Sequence, residues 1–393
     1  MNVLSYFKGD RAVWIIVLLL SLLSLLAVYS SIVTLAYKHH QGDTEYYLFK
    51  HLKIILLGFL LMYLTHKIKF SYFSRISQIM LIVSVPLLLY TLAKGANLNE
   101  ASRWIAIPGT GLTFQTSDFA KLSLIMYVAR VLALRQNEIT DFKKVLLYIM
   151  LPVALICGLI LPANFSTAAL LFVTCMILMF IGRVKIKYIA SVIGIAVAGF
   201  LFLIVLGTVF PKALPRLETW KTRIVNFAKG EEEVDPDKNY QANQAKIAVA
   251  TGGIMGKGPG SSTQRNFLPH PYSDFIYAIV IEEYGMAGGF IVMIFYIALL
   301  YRGIRIAVSS KKTFPTLLAF GISFSLVFQG LINMAVAVNL FPVTGQPLPF
   351  LSMGGTSLLF SSIAVGILLS VSKESESESQ SETEEKGGAL ETA

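Results

Sequence analysis

Apolar residues recur along this chain in long runs with few charges, and the polar residues concentrate between those runs. An α-helix needs about 20 apolar residues to cross the hydrocarbon core of a bilayer, and the runs approach that length. They cover residues 13–37, 49–66, 74–93, 115–135, 145–162, 166–182, 188–210, 275–301, 315–341 and 353–372. The pattern predicts an all-α polytopic membrane protein with ten transmembrane helices.

Composition supports a membrane protein and argues against nucleic acid as a partner. Apolar residues make up 55% of the 393 residues and charged residues 14%, whereas a soluble domain carries about 25% charged residues. In a soluble protein the net charge of +10 would suggest a nucleic-acid partner. Here the charge first has to be assigned to membrane topology, so we expect no nucleic acid.

Lys and Arg concentrate in alternate connections between the runs. The connections between the fifth and sixth runs and between the ninth and tenth runs contain none. The rich connections hold Lys67, Lys69 and Arg75, then Arg135, Lys143 and Lys144, then Arg183, Lys185 and Lys187, and finally Arg302, Arg305, Lys311 and Lys312. By the positive-inside rule both termini are predicted to be cytoplasmic. The first connection, with Lys38, Lys50 and Lys53, fits this orientation least well.

Two segments lie outside the predicted helices. Residues 211–273 form a long extracytoplasmic loop within a ten-helix domain of residues 1–372, and connections of this length are usually functional or disordered. Residues 373–393 are rich in Ser and Glu, which predicts a disordered, charged cytoplasmic tail. Its last residues are compatible with an appended, non-native extension as well as with a native tail.

The run "TGGIMGKGPGSS" in this loop invites comparison with a phosphate-binding loop. The nucleotide pattern needs Ser or Thr directly after its Gly-Lys pair, and Gly258 follows Lys257 instead. The run also falls on the outer face, away from nucleoside triphosphates. Two interpretations remain: a flexible loop whose amides and lysine approach an anion, and a plain turn.

Asp118 and Lys121 fall inside the fourth run, three residues apart, so they share a helix face and can pair. Ionisable residues in a membrane span suggest a function. With Arg103 just outside the span, they could grip an anionic headgroup. A structural salt bridge with a snorkelling lysine explains the pair equally well. Asn164, Ser166 and Thr167 offer further polar groups, although such residues also serve helix packing.

The stretch "LPHPYSDFIYAIVIEEYG", residues 268–285, places three carboxylates at the start of the eighth run. Glu282 and Glu283 precede its charge-free part and are predicted to mark the outer boundary of the hydrocarbon. Asp274 lies about 12 Å further out, at headgroup depth. As a structural alternative, Ser273 or Asp274 could cap the helix, and the glutamates could be solvated or paired with loop cations. Being adjacent, the two glutamates should point about 100° apart and not reach one site.

The connection "NLFPVTGQPLPFLSMGGTS" between the last two runs contains three prolines and no charge. Irregular backbone at membrane depth is tolerated only when it is buried in protein or lines a cavity. We therefore expect this segment to pack over an internal, outward-facing cavity, with Asn333, Thr344 and Gln346 as its polar groups.

Taken together, these motifs resemble a known family. "ASRWI", "FQTSDFAKL", "YQANQAKIAVATGGIMGKGPG", "LPHPYSDFIYAIVIEEYGMAGG" and "NLFPVTGQPLPFLSMGGTS" are similar, in order and spacing, to the SEDS proteins (shape, elongation, division and sporulation) of RodA and FtsW type. The resemblance implies a ten-helix fold in the bacterial cytoplasmic membrane. It also implies glycan polymerisation from lipid II beside a class B penicillin-binding protein and other division or elongation proteins, with the division type favoured.

The family's essential aspartate corresponds to Asp274 in "DFIY", which the resemblance makes the catalytic base. Its Arg-Trp pair corresponds to Arg103 and Trp104, and its loop Tyr-Gln to Tyr240 and Gln241. We expect these residues to bind the substrate: Arg103, Asp118, Lys121, Gln241, Lys257, Arg265, Ser273, Asn333, Thr344 and Gln346. His270, Tyr272 and Ser273 depart from the family pattern, as do Asp118, for a glutamate, and Asn164, for an aspartate.

The resemblance implies a mechanism and leaves rivals open. Asp274 would take the proton from the acceptor sugar's C4 hydroxyl while pyrophosphate leaves the donor, and cations such as Arg103, Lys121, Lys257 or Arg265 would neutralise the leaving group. No metal site is evident, although pyrophosphate commonly recruits Mg²⁺. A lipid II flippase and a non-enzymatic scaffold that activates the penicillin-binding protein are the alternatives.

Overall fold

The computed structural model describes residues 8–39, 42–98, 101–106, 113–209 and 240–391, and these residues are mostly helical. The helices are α1 (Arg11–Ser31), α2 (Val33–His39), α3 (Thr44–Lys67), α4 (Phe70–Lys94), α5 (Thr116–Leu134), α6 (Phe142–Ile160), α7 (Phe165–Ile181), α8 (Ile186–Val209), α9 (Tyr240–Gly252), α10 (Ile276–Ser309), α11 (Thr313–Ala337) and α12 (Gly355–Glu391).

Short polar side chains begin several of these helices, as helix capping requires. Asp10 accepts hydrogen bonds from the amides of Ala12 (2.9 Å) and Val13 (3.2 Å) at the start of α1. Asp43 accepts from the amide of Tyr46 (3.0 Å) at the start of α3. Polar residues in the connections therefore fix where the apolar segments begin.

Seven of the described helices are long and apolar enough to cross a membrane: α1, α3, α4, α6, α10, α11 and α12 up to Ser377. Two more, α7 and the first part of α8, are apolar but shorter. The helix α5 has 19 residues but carries Asp118, Lys121 and Arg130. The chain is thus a multi-pass membrane protein by these helices, while the count of ten spans stays a prediction.

The helix α11 lies at the centre of the bundle, in contact with α5, α7, α10 and α12. Small residues allow these helices to approach closely. At Gly303 of α10, an added Cβ would lie within 2.3 Å of the Ser323 Cβ on α11. By contrast, Ile79, Ile82 and Leu89 of α4 are exposed, as expected for side chains that face lipid.

A three-stranded antiparallel sheet, which the sequence did not predict, precedes α5. Its strands are β1 (Ala96–Leu98), β2 (Ala101–Ala106) and β3 (Thr113–Gln115), in the order β1-β2-β3. Trp104 of β2 pairs with Gln115 of β3, the residue directly before α5. Arg103 lies in β2, and its side chain is outside the described part of the chain. The sheet brings the Arg-Trp motif next to the start of the helix that carries Asp118.

The predicted loop of residues 211–273 is partly helical. The helix α9 packs against α10 and buries Ala245 and Ala248. Residues 211–239 lie outside the described residues, so the rest of the predicted loop is not compared. Part of the predicted loop therefore has regular structure, in residues 240–252.

The start of α1 meets the end of α10 and the middle of α12 at the end of the bundle opposite to Asp274. Arg302 near the end of α10 donates from Nε to Asp10 Oδ2 (2.7 Å), and Ser372 of α12 accepts from the Asp10 amide (3.0 Å). The helix α12 continues to Glu391, so residues 373–391 are helical rather than disordered as predicted. Alternating Ser and Glu residues do not terminate a helix that packing has already nucleated.

Candidate functional site

Asp274 lies in a turn, residues 271–275, that leads directly into α10. The helix starts at Ile276 with Phe275 as its N-cap residue, and no side chain makes a capping hydrogen bond there. The expectation that Ser273 or Asp274 caps the helix is therefore wrong. The turn places both residues before the capping position, so the carboxylate is aimed elsewhere.

Three neighbours define the position of Asp274, which is half-buried. The Ser273 hydroxyl donates to Asp274 Oδ1 (2.9 Å). The Asn333 side chain on α11 donates from Nδ2 to the Asp274 backbone carbonyl (2.9 Å). Across the turn, a Cβ added at Gly345 would lie 3.6 Å from Asp274 Oδ2. Asp274 thus lies against the 338–354 connection, with Thr344 half-buried beside Gly345.

Asn333 and Gln346 were predicted as substrate-binding residues, and the structure gives both a bonding role within the protein. Asn333 is 1% exposed, and its Nδ2 donates hydrogen bonds to the carbonyls of Asp274 (2.9 Å) and Gln346 (2.7 Å). Gln346 is buried too, and its side chain donates to Thr167 Oγ1 on α7 (2.8 Å). Asn333 therefore joins the candidate catalytic turn to the connection opposite it.

The 338–354 connection packs into the bundle, as predicted, and side chains from the helices satisfy its carbonyls. Gln329 of α11 donates to Pro347 O (2.8 Å), and Ser24 of α1 donates to Leu351 O (2.7 Å). Tyr296 of α10 donates to Pro349 O. A buried carbonyl without a partner would cost about 1–3 kcal/mol, so these bonds are what allows irregular backbone at this depth.

The Asp118–Lys121 pair forms as the spacing predicted. Lys121 Nζ lies 3.6 Å from Asp118 Oδ1, and it also donates to Gln329 Oε1 (2.7 Å). Gln329 and Asn333 are one helical turn apart on α11. A polar network therefore runs from Lys121 through Gln329 and the connection to Asn333 and Asp274. Asp118 and Lys121 line a narrow cavity together with Ser325, Ser357 and Ser361.

Lys257 and Arg265, both predicted as substrate cations, are engaged by protein groups. Lys257 Nζ forms an ion pair with Glu282 Oε1 (2.6 Å). Arg265 donates to the carbonyl (2.9 Å) and hydroxyl (3.0 Å) of Ser30 at the end of α1. Gln241 is exposed in the first turn of α9. The substrate roles of Lys257, Arg265 and Gln241 stay predictions.

Glu282 and Glu283 do not lie in a solvated interface. They are 0% and 1% exposed, and pairing with a loop cation is confirmed only for Glu282. Both carboxylates reach one residue, because Ser262 donates its hydroxyl to Glu282 Oε2 and its amide to Glu283 Oε1. The expectation that adjacent glutamates cannot share one site is wrong, because the Ser262 amide and hydroxyl lie between them.

Tyr272 and His270 were noticed in the sequence only as departures from the family pattern. The His270 Nδ1 and the Tyr272 hydroxyl are 3.3 Å apart, and Met353 N donates to Tyr272 O (2.9 Å). Burial, with the Tyr47 phenol and the Asp274 carboxylate nearby, raises the pKa of Tyr272. The phenol therefore stays neutral and can donate hydrogen bonds near Asp274.

Among the described residues, no three His, Cys, Asp or Glu side chains converge as a metal site. Mg²⁺ commonly keeps several waters and needs only one or two carboxylates beside substrate phosphates. Asp274, as a half-buried carboxylate, fits that limited requirement. A divalent cation at this site therefore stays a prediction.

Comparisons with known proteins identify the family. The model of the FtsW, RodA and SpoVE family, described as "Cell cycle protein", matches residues 10–377. A Geobacter sp. (strain M18) protein named "Probable peptidoglycan glycosyltransferase FtsW" is 32% identical over 368 residues, which cover 92% of this chain and 96% of that protein. Stage V sporulation protein E of Bacillus subtilis (strain 168) is 32% identical over 372 residues, covering 93% and 97%.

Solved structures share the fold. A chain from "Structural coordination of polymerization and crosslinking by a peptidoglycan synthase complex" aligns with a TM-score of 0.71 at 22% identity, over 93% of this chain and 98% of that chain. The Thermus thermophilus rod shape determining protein RodA aligns with a TM-score of 0.64 at 20% identity, over 93% and 97%. The chain belongs to the FtsW, RodA and SpoVE family of cell cycle proteins.

Proposed function

We propose that this chain is a peptidoglycan glycosyltransferase that polymerises lipid II into glycan strands at the outer face of the bacterial cytoplasmic membrane. Curated relatives at 32% identity carry peptidoglycan glycosyltransferase names over nearly the whole chain. The observation that carries the proposal is Asp274, a half-buried carboxylate held in a turn by Ser273, Asn333 and the 338–354 connection.

Asp274 acts as the general base in this proposal. Its carboxylate takes the proton from the C4 hydroxyl of the acceptor sugar as that oxygen attacks C1 of the donor sugar. The C1–O bond to pyrophosphate breaks, and the anomeric centre inverts. Pyrophosphate leaves as an anion and needs neutralisation rather than a proton, so one carboxylate suffices. The neutral Tyr272 phenol is a candidate hydrogen-bond donor to the substrate beside it.

The predicted substrate-binding residues have different roles in this proposal. Lys121, half-buried beside Asp118, is a candidate partner for the pyrophosphate, together with Arg103 of β2. Thr344 and Ser273 flank Asp274 and are candidate contacts for the sugars. Gln241 would approach from α9. Lys257 and Arg265 already hold protein groups, so we assign them supporting roles. A bound divalent cation such as Mg²⁺ would neutralise phosphate charge.

We further propose a class B penicillin-binding protein as the partner, with both termini of the chain cytoplasmic. One structural neighbour comes from a complex that coordinates polymerisation and crosslinking. Asp10 at the start of α1 contacts Ser372 of α12 at the end of the bundle opposite to Asp274, which supports two termini on the side of the membrane away from the proposed site. Among the two machines that the family serves, we favour cell division over elongation.

The test is glycan synthesis from lipid II by the full chain, purified with the penicillin-binding protein that co-purifies with it. The partner's own catalytic residue is removed beforehand, which excludes a scaffold that only activates it. We expect strands from the wild type and none from Asp274→Ala or Asp274→Asn. Asp43→Asn is the matched control, because asparagine caps α3 equally well.

Two outcomes overturn the proposal. Strands from the Asp274 variants at the wild-type rate would remove Asp274 as the base. Lipid II translocation across vesicles by wild type and Asp274→Asn alike, without strands from either, would favour a flippase instead.

A further inference from the structure

The helix α10 is broken at Gly285, whose φ of 71° and ψ of −177° are not helical. In a continuous helix the amides of Met286 and Ala287 would donate to the carbonyls of Glu282 and Glu283. Here Met286 N donates to Gly253 O (2.9 Å) and Ala287 N to Ile254 O (3.3 Å).

The two carbonyls released by this break accept hydrogen bonds from the same segment of chain. Lys257 N donates to Glu282 O (2.9 Å), and Gly258 N donates to Glu283 O (2.9 Å). Two helical hydrogen bonds are thus replaced by four bonds to residues 253–258. We call residues 252–264, which include these donors and acceptors, the clasp segment.

Glycines make this close approach possible. A Cβ at Gly256 would lie 2.2 Å from Glu283 O, and a Cβ at Gly285 would lie 2.1 Å from Ile254 O. A Cβ at Gly252 would lie 2.1 Å from Ile281 O. Only residues without a side chain let two backbones come this near. The Gly-rich run is therefore a backbone contact with α10 rather than a plain turn.

The glutamate side chains complete the same attachment. Glu282 accepts from Lys257 Nζ (2.6 Å), Thr263 N (3.1 Å) and Gln264 N (3.2 Å), as well as from the hydroxyls of Ser262 and Thr263. Glu283 accepts from Ser262 N (3.3 Å) and from the Ser30 hydroxyl. A buried carboxylate is tolerated only with pairing and hydrogen bonding, which the clasp segment supplies in full for Glu282 and through the Ser262 amide for Glu283 Oε1.

Because of the break, residues 276–284 form a short helical segment that can tilt as a unit, and Asp274 lies just before its first residue. The stretch from Asp274 to Gly285 is about 16 Å long at 1.5 Å per residue, so a tilt of about 5° moves Asp274 by about 1.4 Å. A misplacement of about 1 Å can lower a catalytic rate about 100-fold. Hydrogen bonds to the clasp segment hold residues 276–284 in place, because the helical hydrogen bonds across Gly285 are missing.

We propose that Glu282 and Glu283 are positioning residues, which fix the orientation of residues 276–284 and of Asp274 by binding the clasp segment. This inference rests on the proposed glycosyltransferase function. It also gives Lys257 a role as the cation that neutralises Glu282, rather than as a substrate contact.

Two glycine variants provide a matched test in the full chain with its partner. Gly256 and Gly260 have φ values of 79° and 75°, so an added methyl group strains both backbones alike. Only at Gly256 does it meet backbone; at Gly260 nothing described lies within 4 Å. We expect Gly256→Ala to lower kcat at least tenfold with KM for lipid II within twofold, and Gly260→Ala to stay within twofold in both.

Charge variants decide the case if Gly256→Ala does not fold. Lys257→Gln leaves Glu282 buried without its cation, whereas Glu282→Gln leaves a lysine that reaches solvent, with its side chain 29% exposed. We expect kcat to fall more in Lys257→Gln than in Glu282→Gln, and the double variant Lys257→Gln/Glu282→Gln to recover above Lys257→Gln. Equal losses without recovery would overturn the pairing.

Amide hydrogen exchange separates this inference from the proposed function. We expect protected amides at Lys257, Gly258, Met286 and Ala287 in the wild type, and faster exchange in Lys257→Gln. Protected amides in a wild type that makes no glycan would overturn the proposed function and leave the clasp standing. Wild-type kcat in folded Gly256→Ala, or a loss confined to KM, would overturn the positioning role.

Discussion

Replacing Asn333 by leucine tests whether this residue binds substrate, as its sequence context predicted, or positions Asp274. Asn333→Leu keeps the number and branching of the side-chain heavy atoms but removes the two hydrogen bonds that Nδ2 donates, of 2.9 Å to Asp274 O and 2.7 Å to Gln346 O. Both carbonyls then lose a partner in a site where Asn333 itself is 1% exposed. The substitution therefore removes the side-chain link between the candidate catalytic turn and the connection opposite it.

The size of the effect follows from these two bonds. Hydrogen bonds within membrane proteins average about 0.6 kcal/mol, which gives a lower bound of about 1 kcal/mol for the pair. Unsatisfied buried carbonyls cost about 1–3 kcal/mol each, which gives an upper bound of about 6 kcal/mol. Loss of Asn333 Oδ1, which has no hydrogen-bond partner among the described residues, offsets part of this cost. We expect a destabilisation of about 1–3 kcal/mol.

The assay combines equilibrium unfolding in detergent with lipid II polymerisation by the complex. We expect kcat to fall about tenfold or more, because Asp274 shifts, while KM stays within about twofold. Gln136→Ala is the control, since the Gln136 amide is exposed and makes one long contact, 3.4 Å to Thr313 Oγ1. A rise in KM with unchanged kcat would refute the positioning role and restore Asn333 as a substrate contact.

Three further predictions address other parts of the molecule. Gly303→Ala should destabilise the α10–α11 contact by forcing Ser323 aside, whereas Gly158→Ala, with nothing described within 4 Å, should be neutral or stabilising by up to about 1 kcal/mol in thermal unfolding. Because the folded-state pKa of Tyr272 is raised, its contribution to stability is complete below about pH 10 and is lost as the pH rises through the folded pKa. Tyr272→Phe should therefore lose less stability than the wild type as the pH is raised above about 10, measured by equilibrium unfolding. Lys121→Met should raise KM for lipid II. Gln329→Met removes the hydrogen bond to Lys121 but keeps the lysine charge, so it should chiefly lower kcat. Equal KM values for wild type and Lys121→Met would exclude Lys121 as a pyrophosphate ligand.

The sequence predicted those features that depend on local spacing. Asp118 and Lys121 pair because residues three apart share a helix face. Residues 346–352 of the 338–354 connection are mostly buried, as its prolines and its lack of charges predicted. Long-range contacts were beyond this reasoning. Glu282 meets Lys257 across 25 positions of sequence, and the 100° argument failed because Ser262, a distant residue, reaches both glutamates with its amide and its hydroxyl.

The same limit explains the missed roles of Asn333 and of the Gly-rich run. Asn333 looked like a cavity residue because its bonding depends on where the backbones of two distant segments pass. The glycines suggested an anion site because the sequence did not show the break in α10 at Gly285. The backbone hydrogen bonds that the Gly-rich run makes at this break were therefore not predicted. Both features become visible only when carbonyls and amides are paired one by one.

The distribution of polar groups along α5 bears on the choice between a polymerase and a flippase. A flippase needs polar groups through the whole depth of the membrane. Between Lys121 and Arg130, about 13 Å of helix, the side chains of Leu124, Met126 and Val128 are at most 1% exposed. The two hydroxyls in this stretch both donate to backbone carbonyls: Ser123 to Phe119 O (2.7 Å) and Tyr127 to Tyr148 O (3.1 Å). The polar network that begins at Asp274 thus ends near Lys121 against packed apolar side chains, an arrangement suited to chemistry at one face of the membrane.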